Sequence, residues 1–287
     1  MGNNRRNFLK TLGVVGGSLA FRKSYAASPE KNKNNKEFYG ILYDSTRCVG
    51  CQSCEIACAE AYGFPSPEDY PEAGVERKTS TSQRVVVNAV ETPLGEQYMR
   101  SSCNHCSSPA CASACLTKAM LKTEEGPVIW REDKCMGCRS CMIACPFNAP
   151  KFEYDSPNPK IQKCRMCYEK LQEGGSPECV TACPAEAMLF GSRRELIEIA
   201  RERIYADPEI YHHEIYGEHE VGGTGLLYLT GLPFEELGLR TDVGKVPYPE
   251  HNKTFLYSVP AVLVLWPAFL LGLRNASDEV KNNLTKS

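Results

Sequence analysis

Lys134-Cys-Met-Gly-Cys-Arg-Ser-Cys-Met-Ile-Ala-Cys-Pro146 places Cys135, Cys138, Cys141 and Cys145 at the spacing C-x2-C-x2-C-x3-C-P. Three thiolates two residues apart can wrap one corner of a [4Fe–4S] cube while the loop between them turns backbone N–H groups toward its sulfurs. Gly137 has no Cβ, so the loop can take positive φ and come close to the cube. The fourth Cys follows a longer step and precedes Pro. In chains with two such runs it ligates the other cluster. One run therefore implies a partner.

The rest of the chain supplies three. Cys48, Cys51, Cys54 and Cys58 repeat the spacing, with Gly50 matching Gly137 and Ala59 standing where Pro is expected. Cys103, Cys106, Cys111 and Cys115 are spaced C-x2-C-x4-C-x3-C, with Leu116 in place of Pro. Cys164, Cys167, Cys179 and Cys183-Pro184 are spaced C-x2-C-x11-C-x3-C-P, the long insert containing Gly174-Gly175. His105 lies between two of these cysteines and is expected to face solvent.

All 16 cysteines of the 287-residue chain fall in these four runs. A disulfide framework would not repeat C-x2-C-x2-C, and a chain of this length has no need of staples. Zinc ribbons share the C-x2-C pair but give no reason for a triplet followed by x3-Cys. A net charge of −2 offers no nucleic-acid surface. No nucleophile triad is evident. Gly222-Gly-Thr-Gly225 lacks the Lys and spacing of a phosphate-binding loop and reads as turn chemistry. His212, His213, His219 and His251 show no metal-ligand spacing and read as surface or loop residues.

At the N-terminus a basic stretch with Arg5-Arg6 and Phe8-Leu9-Lys10 precedes an apolar run to Phe21 and the small residues Ala26-Ala27. This order predicts a signal peptide over 1–27, similar to the twin-arginine type that exports folded proteins. Residues 28–37 read as a polar linker and 38–43 as a strand. Residues 59–102 read as an insertion, a Pro-rich loop followed by a hairpin about Pro93-Leu-Gly95. A second hairpin, 119–131, leads into the opening run. Residues 188–191 are expected to pair with 38–43. Ser192 and Glu195 form a capping box for a helix through Ile204 with a solvated Arg/Glu face. Leu226 to Thr230 is strand-like. Residues 254–273 carry no charge and as a helix would reach about 30 Å, the thickness of a bilayer core. Pro260 and Pro267 should kink it, and Arg274, Lys281 and Lys286 follow it. The alternative is a tail covered by a partner.

The rule that the fourth Cys crosses to a paired cluster predicts four closed sites. They are Cys48/Cys51/Cys54/Cys183, Cys58/Cys164/Cys167/Cys179, Cys103/Cys106/Cys111/Cys145 and Cys115/Cys135/Cys138/Cys141. Ligation of each cluster by its own run is the alternative. No ligand position is replaced, so four [4Fe–4S] clusters are expected and no three-iron cluster. The expected fold is α+β: two nested two-cluster domains of bacterial ferredoxin type, a C-terminal extension and a single transmembrane helix. The predicted segments are 28–102 with 151–204 as the outer domain, 103–150 as the inner one, an extension over 205–253, the span 254–273 and a tail 274–287.

On these motifs the chain resembles the four-cluster ferredoxin subunits of respiratory molybdopterin oxidoreductases and hydrogenases. It is most similar to the HybA-type subunit of hydrogenase-2-like membrane [NiFe] hydrogenases. The residues carrying the resemblance are the twin-arginine start, Leu42 to Cys51, Cys135 to Pro146, Cys179 to Pro184, Gly222 to Pro233 and the apolar tail. The resemblance implies a subunit without a catalytic site of its own. It would relay electrons between a periplasmic catalytic subunit and an integral-membrane quinone-reactive subunit of the NrfD/HybB kind, on the periplasmic face of the inner membrane. The same wire could serve a molybdopterin enzyme such as a formate dehydrogenase or a polysulfide, thiosulfate or sulfoxide reductase.

Overall fold

A computed structural model describes residues 38–284, and the expected signal peptide lies outside the described residues. In chain order the elements are β1 (Tyr39–Asp44), α1 (Ser53–Tyr62), β2 (Val86–Thr92), β3 (Gly95–Ser101), α2 (Ala110–Ser113), β4 (Met120–Lys122) and β5 (Val128–Trp130). Then follow α3 (Ser140–Ala144), β6 (Lys151–Phe152), β7 (Ile161–Gln162), α4 (Tyr168–Gln172), α5 (Glu178–Thr181), β8 (Met188–Ser192), α6 (Arg193–Ala206), β9 (Leu226–Leu229) and α7 (Tyr248–Leu284).

Strand β1 is the middle of a three-stranded sheet. It pairs antiparallel with β8, Tyr39 opposite Ser192 through Tyr43 opposite Met188. It pairs parallel with β9, Ile41 opposite Leu226 through Asp44 opposite Leu229. The first pairing is the expected one. The strand character of β9 is also expected, but its place beside β1 is set by a non-local contact that no local pattern encodes. Both faces of this sheet are covered, which is why its strands are apolar almost without interruption. Ile41, Tyr43, Leu226, Tyr228 and Met188 point to one side, among Cys54, Cys58, Cys179 and Met166. Leu42, Leu227 and Leu229 point to the other, against Leu196, Ile197, Ala200 and Ile204 of α6. Period-two alternation thus gives one face to the cysteines and one to the helix. Each fully buried Leu contributes on the order of 2 kcal/mol.

Helix α6 starts as its capping box predicts: the Ser192 Oγ accepts a hydrogen bond from the Glu195 N–H at 3.3 Å. Its charged face is not wholly solvated, contrary to expectation. Arg203 donates to the fully buried Asp44 at 2.6 Å. Arg193 donates to the carbonyls of Thr224, Gly217 and Glu218. The turn at 222–225 packs closely as well. The Gly225 N–H donates to the Asn104 carbonyl at 3.0 Å. A Cβ on Gly40 would stand 2.6 Å from the Gly225 carbonyl oxygen, so this crossing requires glycine.

The two hairpins form where the sequence places them, β2 with β3 and β4 with β5. The insertion begins later than expected, because α1 continues through Tyr62. Its loop is bound back through Glu55, a buried carboxylate that accepts from Arg77 at 2.7 and 2.8 Å and from the Val87 N–H at 2.6 Å. Strands β6 and β7 form a further two-residue ladder.

Beyond Asn252 the chain is a separate unit. Helix α7 runs 37 residues with Pro260 and Pro267 inside it, longer than the 20-residue span read from the charge gap. Residues Tyr248–Asp278 have a mean hydropathy of 2.0 over their most apolar stretch and are unburied. By length and composition this helix could cross a membrane.

Candidate metal centres

The loops after β1 and after β5 share one conformation. Gly50 and Gly137 have φ of 69° and 72°, and Gln52 and Arg139 have φ of 57° and 60° just before helices α1 and α3. In the other two runs the glycine position is held by His105, φ 49°, and Met166, φ 55°. The same turn is thus made four times, twice without glycine. This corrects the expectation for His105. Its side chain is 1% exposed and its Nδ1 accepts a hydrogen bond from the Val128 N–H at 2.9 Å. Burial, with Lys163, Lys122 and Arg100 nearby, holds it well below the usual histidine range, so it is neutral.

The fourth cysteines also share a local structure. Lys118, Asn148 and Glu186 each lie three residues after one and have positive φ. Their N–H groups donate back to the carbonyls of Cys115, Cys145 and Cys183. Cys58 differs, because α1 continues past it. A Pro at position 59 would clash inside that helix, which explains Ala59. Leu116 sits in a turn and is 85% exposed.

The thiols gather across runs. Burial raises the Cys48 thiol, and Cys183 and Cys51 push it further against hydrogen bonds from Tyr43 and Gly50. Burial likewise raises Cys58, whose next influences are Cys164, Cys179 and Cys167. Cys106 is raised by burial and then by Cys103, Cys145 and Cys111. Cys141 is pushed up to about 11 by burial and then by Cys115 and Cys135. Cys111, at about 12 through burial, also feels Cys141, and Cys54, at about 12 through burial, also feels Cys179. Cys103 and Cys164 also pack in one buried cluster with Cys145 against it. Cys51 and Cys138 are exposed.

Buried thiols held protonated at neutral pH are expected to release their protons to a metal. The sulfurs of a tetrahedral zinc site stand about 3.8 Å apart. Among the described residues no three Cys, His, Asp or Glu side chains gather closely enough for a single ion. Instead, Cys48, Cys51, Cys54 and Cys183 line one shared pocket. Backbone N–H groups point at the sulfurs: Met120 to Cys115 at 3.4 Å, Met166 to Cys164 at 3.4 Å, Ala149 to Cys145 at 3.5 Å and Glu178 to Cys167 at 3.5 Å. Such donors stabilise charge on cluster sulfur. The residues fit [4Fe–4S] clusters.

Two buried cations in this cage escape the sequence motifs. Arg100, near the end of β3, is 1% exposed and its Nη2 lies 3.7 Å from the Cys179 Sγ. Lys163 is buried with its Nζ 3.7 Å from the Cys103 Sγ. Arg47, Lys134 and Lys163 each precede the first Cys of a run, but of these only Lys163 is buried, so adjacency alone does not single it out.

Residues 95–193 match the family model described as a 4Fe-4S dicluster domain. The chain is 41% identical over 282 residues to a protein of Nitratidesulfovibrio vulgaris, covering 94% of this chain and 75% of that one. It is 35% identical over 276 residues to the hydrogenase-2 operon protein HybA of Escherichia coli O157:H7, covering 82% of this chain and 83% of the relative. Over 164 residues it is 40% identical to the B subunit of the anaerobic dimethyl sulfoxide reductase of Escherichia coli K12, covering 55% of this chain and 75% of that subunit. The buried thiols, their N–H donors and a match across most of both chains lead to one conclusion: the chain belongs to the HybA-type family of electron-transfer subunits and carries multiple [4Fe–4S] clusters.

Proposed function

We propose that the sixteen cysteines hold four [4Fe–4S] clusters as a single electron relay. The ligand sets are Cys48/Cys51/Cys54/Cys183, Cys58/Cys164/Cys167/Cys179, Cys103/Cys106/Cys111/Cys145 and Cys115/Cys135/Cys138/Cys141, in that spatial order. The observation that carries this reading is the gathering of each fourth cysteine among thiols of another run. The first two sets build an outer domain from residues 28–102 and 151–204. The last two build an inner domain from 103–150. The β1–β8 pairing supports this nesting by bringing the first and fourth runs together.

When bound, such clusters take up and release one electron at a time. The chain's own residues keep them in place and dry. The apolar face of the central sheet excludes water from the second set. The backbone N–H donors favour negative charge on the sulfurs. Cys51 and Cys138 open the two ends to partners.

The relay joins a periplasmic catalytic subunit, a [NiFe] hydrogenase, to a membrane quinone-reactive subunit of the NrfD/HybB kind. The chain reaches the periplasmic face of the inner membrane by the twin-arginine route, and α7 anchors it there. The extent of the match to the hydrogenase-2 operon protein HybA supports the hydrogenase partner. The shorter match to the dimethyl sulfoxide reductase B subunit favours a second reading, the same wire serving a molybdopterin enzyme. A neighbouring gene for a [NiFe] large subunit or for a molybdopterin subunit decides between them. Cys135→Ala should abolish quinone-linked electron flow while substrate turnover with a soluble dye persists. Loss of the dye-linked activity in an assembled complex would refute the relay.

A further inference from the structure

Two cations are buried where cysteine groups meet, and neither has the partner a buried charge requires. Arg100 donates to the Ser102 hydroxyl at 2.8 Å and reaches the Cys179 Sγ at 3.7 Å, while its Nε has no partner. Its charge is felt by Cys54, Cys58 and Cys179. It therefore stands between the first and second sets. Lys163 donates to the Val128 and Cys164 carbonyls and reaches the Cys103 Sγ. Its charge is felt by Cys111 and Cys145. It stands between the second and third sets. No carboxylate is among these partners.

A guanidinium or ammonium taken out of water is strongly destabilising unless a negative charge compensates it. Among the described residues, the groups seen beside these two that become anionic near neutral pH are the cysteines, once they are thiolates on a cluster. The compensation is mutual: a fixed positive charge stabilises the more negative, reduced form of a nearby cluster. Among the described residues no buried Lys or Arg stands against the set at Cys115/Cys135/Cys138/Cys141. Burial and neighbouring thiols act on Cys141, and Cys138 is exposed.

We propose that Arg100 and Lys163 are positioning cations that make the clusters they adjoin, at Cys48/Cys51/Cys54/Cys183, Cys58/Cys164/Cys167/Cys179 and Cys103/Cys106/Cys111/Cys145, more easily reduced than the one at Cys115/Cys135/Cys138/Cys141, so that an electron rests within the relay. This rests on the four-cluster reading above. Arg100 is the stronger element, because a guanidinium does not deprotonate in proteins. At these separations, with water excluded, one charge shifts a redox equilibrium by about tenfold or more.

The test is a redox titration followed by electron paramagnetic resonance on the full, anaerobically purified complex. Arg100→Met and Lys163→Met should each lower the reduced-to-oxidised ratio of the adjacent clusters about tenfold at fixed ambient potential, a shift of about 59 mV for one electron. Arg100→Lys and Lys163→Arg should restore most of that shift. Equal shifts in the Met and charge-keeping variants, or no shift in any, would overturn the proposal. If Arg100→Met does not assemble, Arg100→Gln gives the same reading, expected shifted well beyond Arg100→Lys. The two readings fail differently. A wild-type complex with fewer than four clusters refutes the relay, whereas four clusters with unmoved potentials refute the role of the cations.

Discussion

Gly50, His105, Gly137 and Met166 occupy one position in four loops, and all four are left-handed. For glycine this conformation carries no steric cost, while other residues lose about 1 kcal/mol there. The cost at His105 and Met166 is offset by burial and, at His105, by the hydrogen bond from Val128. The two glycines are not equivalent. A Cβ on Gly50 would enter the ring of Tyr98, whereas one on Gly137 meets only Phe152 at 4.0 Å. Gly137→Ala should therefore cost about 1 kcal/mol and leave the iron content unchanged. Gly50→Ala should displace Tyr98 and lose one cluster, about a quarter of the iron. Iron analysis of the two purified variants checks the ranking, and equal iron in both would contradict it.

At the level of elements, β1 and α1 set the cage. Glu55 holds α1 to β2 and to the loop before it through three hydrogen bonds. Glu55→Gln leaves Arg77 without its charge partner and should destabilise the folded protein by about 3 kcal/mol. A denaturant midpoint unmoved by the substitution would show that the clamp does not matter. The sequence makes β1, β8, both hairpins and α6 legible, because each carries a local signal: a short apolar β-rich run, a turn sequence or a capping residue. The β1–β9 pairing has no such signal, since parallel neighbours are joined by a long connection. Strands β6 and β7 are too short for any periodicity to show. The sixteen cysteines are legible from spacing alone. His105, Arg100 and Lys163 are not, because burial of a polar side chain is decided by chain segments far away in sequence. His105 looks like an ordinary loop residue until β5 packs over it.

For the whole molecule, the charge balance joins the parts. Four clusters with sixteen thiolates would add about −8 to the chain's own charge. On the proposed four-set reading, the buried cations beside Cys179 and Cys103, the exposed thiols of Cys51 and Cys138 and the apolar C-terminal helix fit a tethered relay. Removing residues 254–287 should move the chain from the membrane to the soluble fraction, read by fractionation of cells. An unchanged membrane fraction would mean that a partner, and not α7, holds it.

The relay stands or falls on the number and kind of its metal groups, which iron and acid-labile sulfide analysis of the anaerobically purified protein measures. About sixteen iron atoms and as many sulfides per chain are expected, with reduction giving signals from four interacting [4Fe–4S] clusters. Zinc in place of iron, or iron enough for only two clusters, would contradict it.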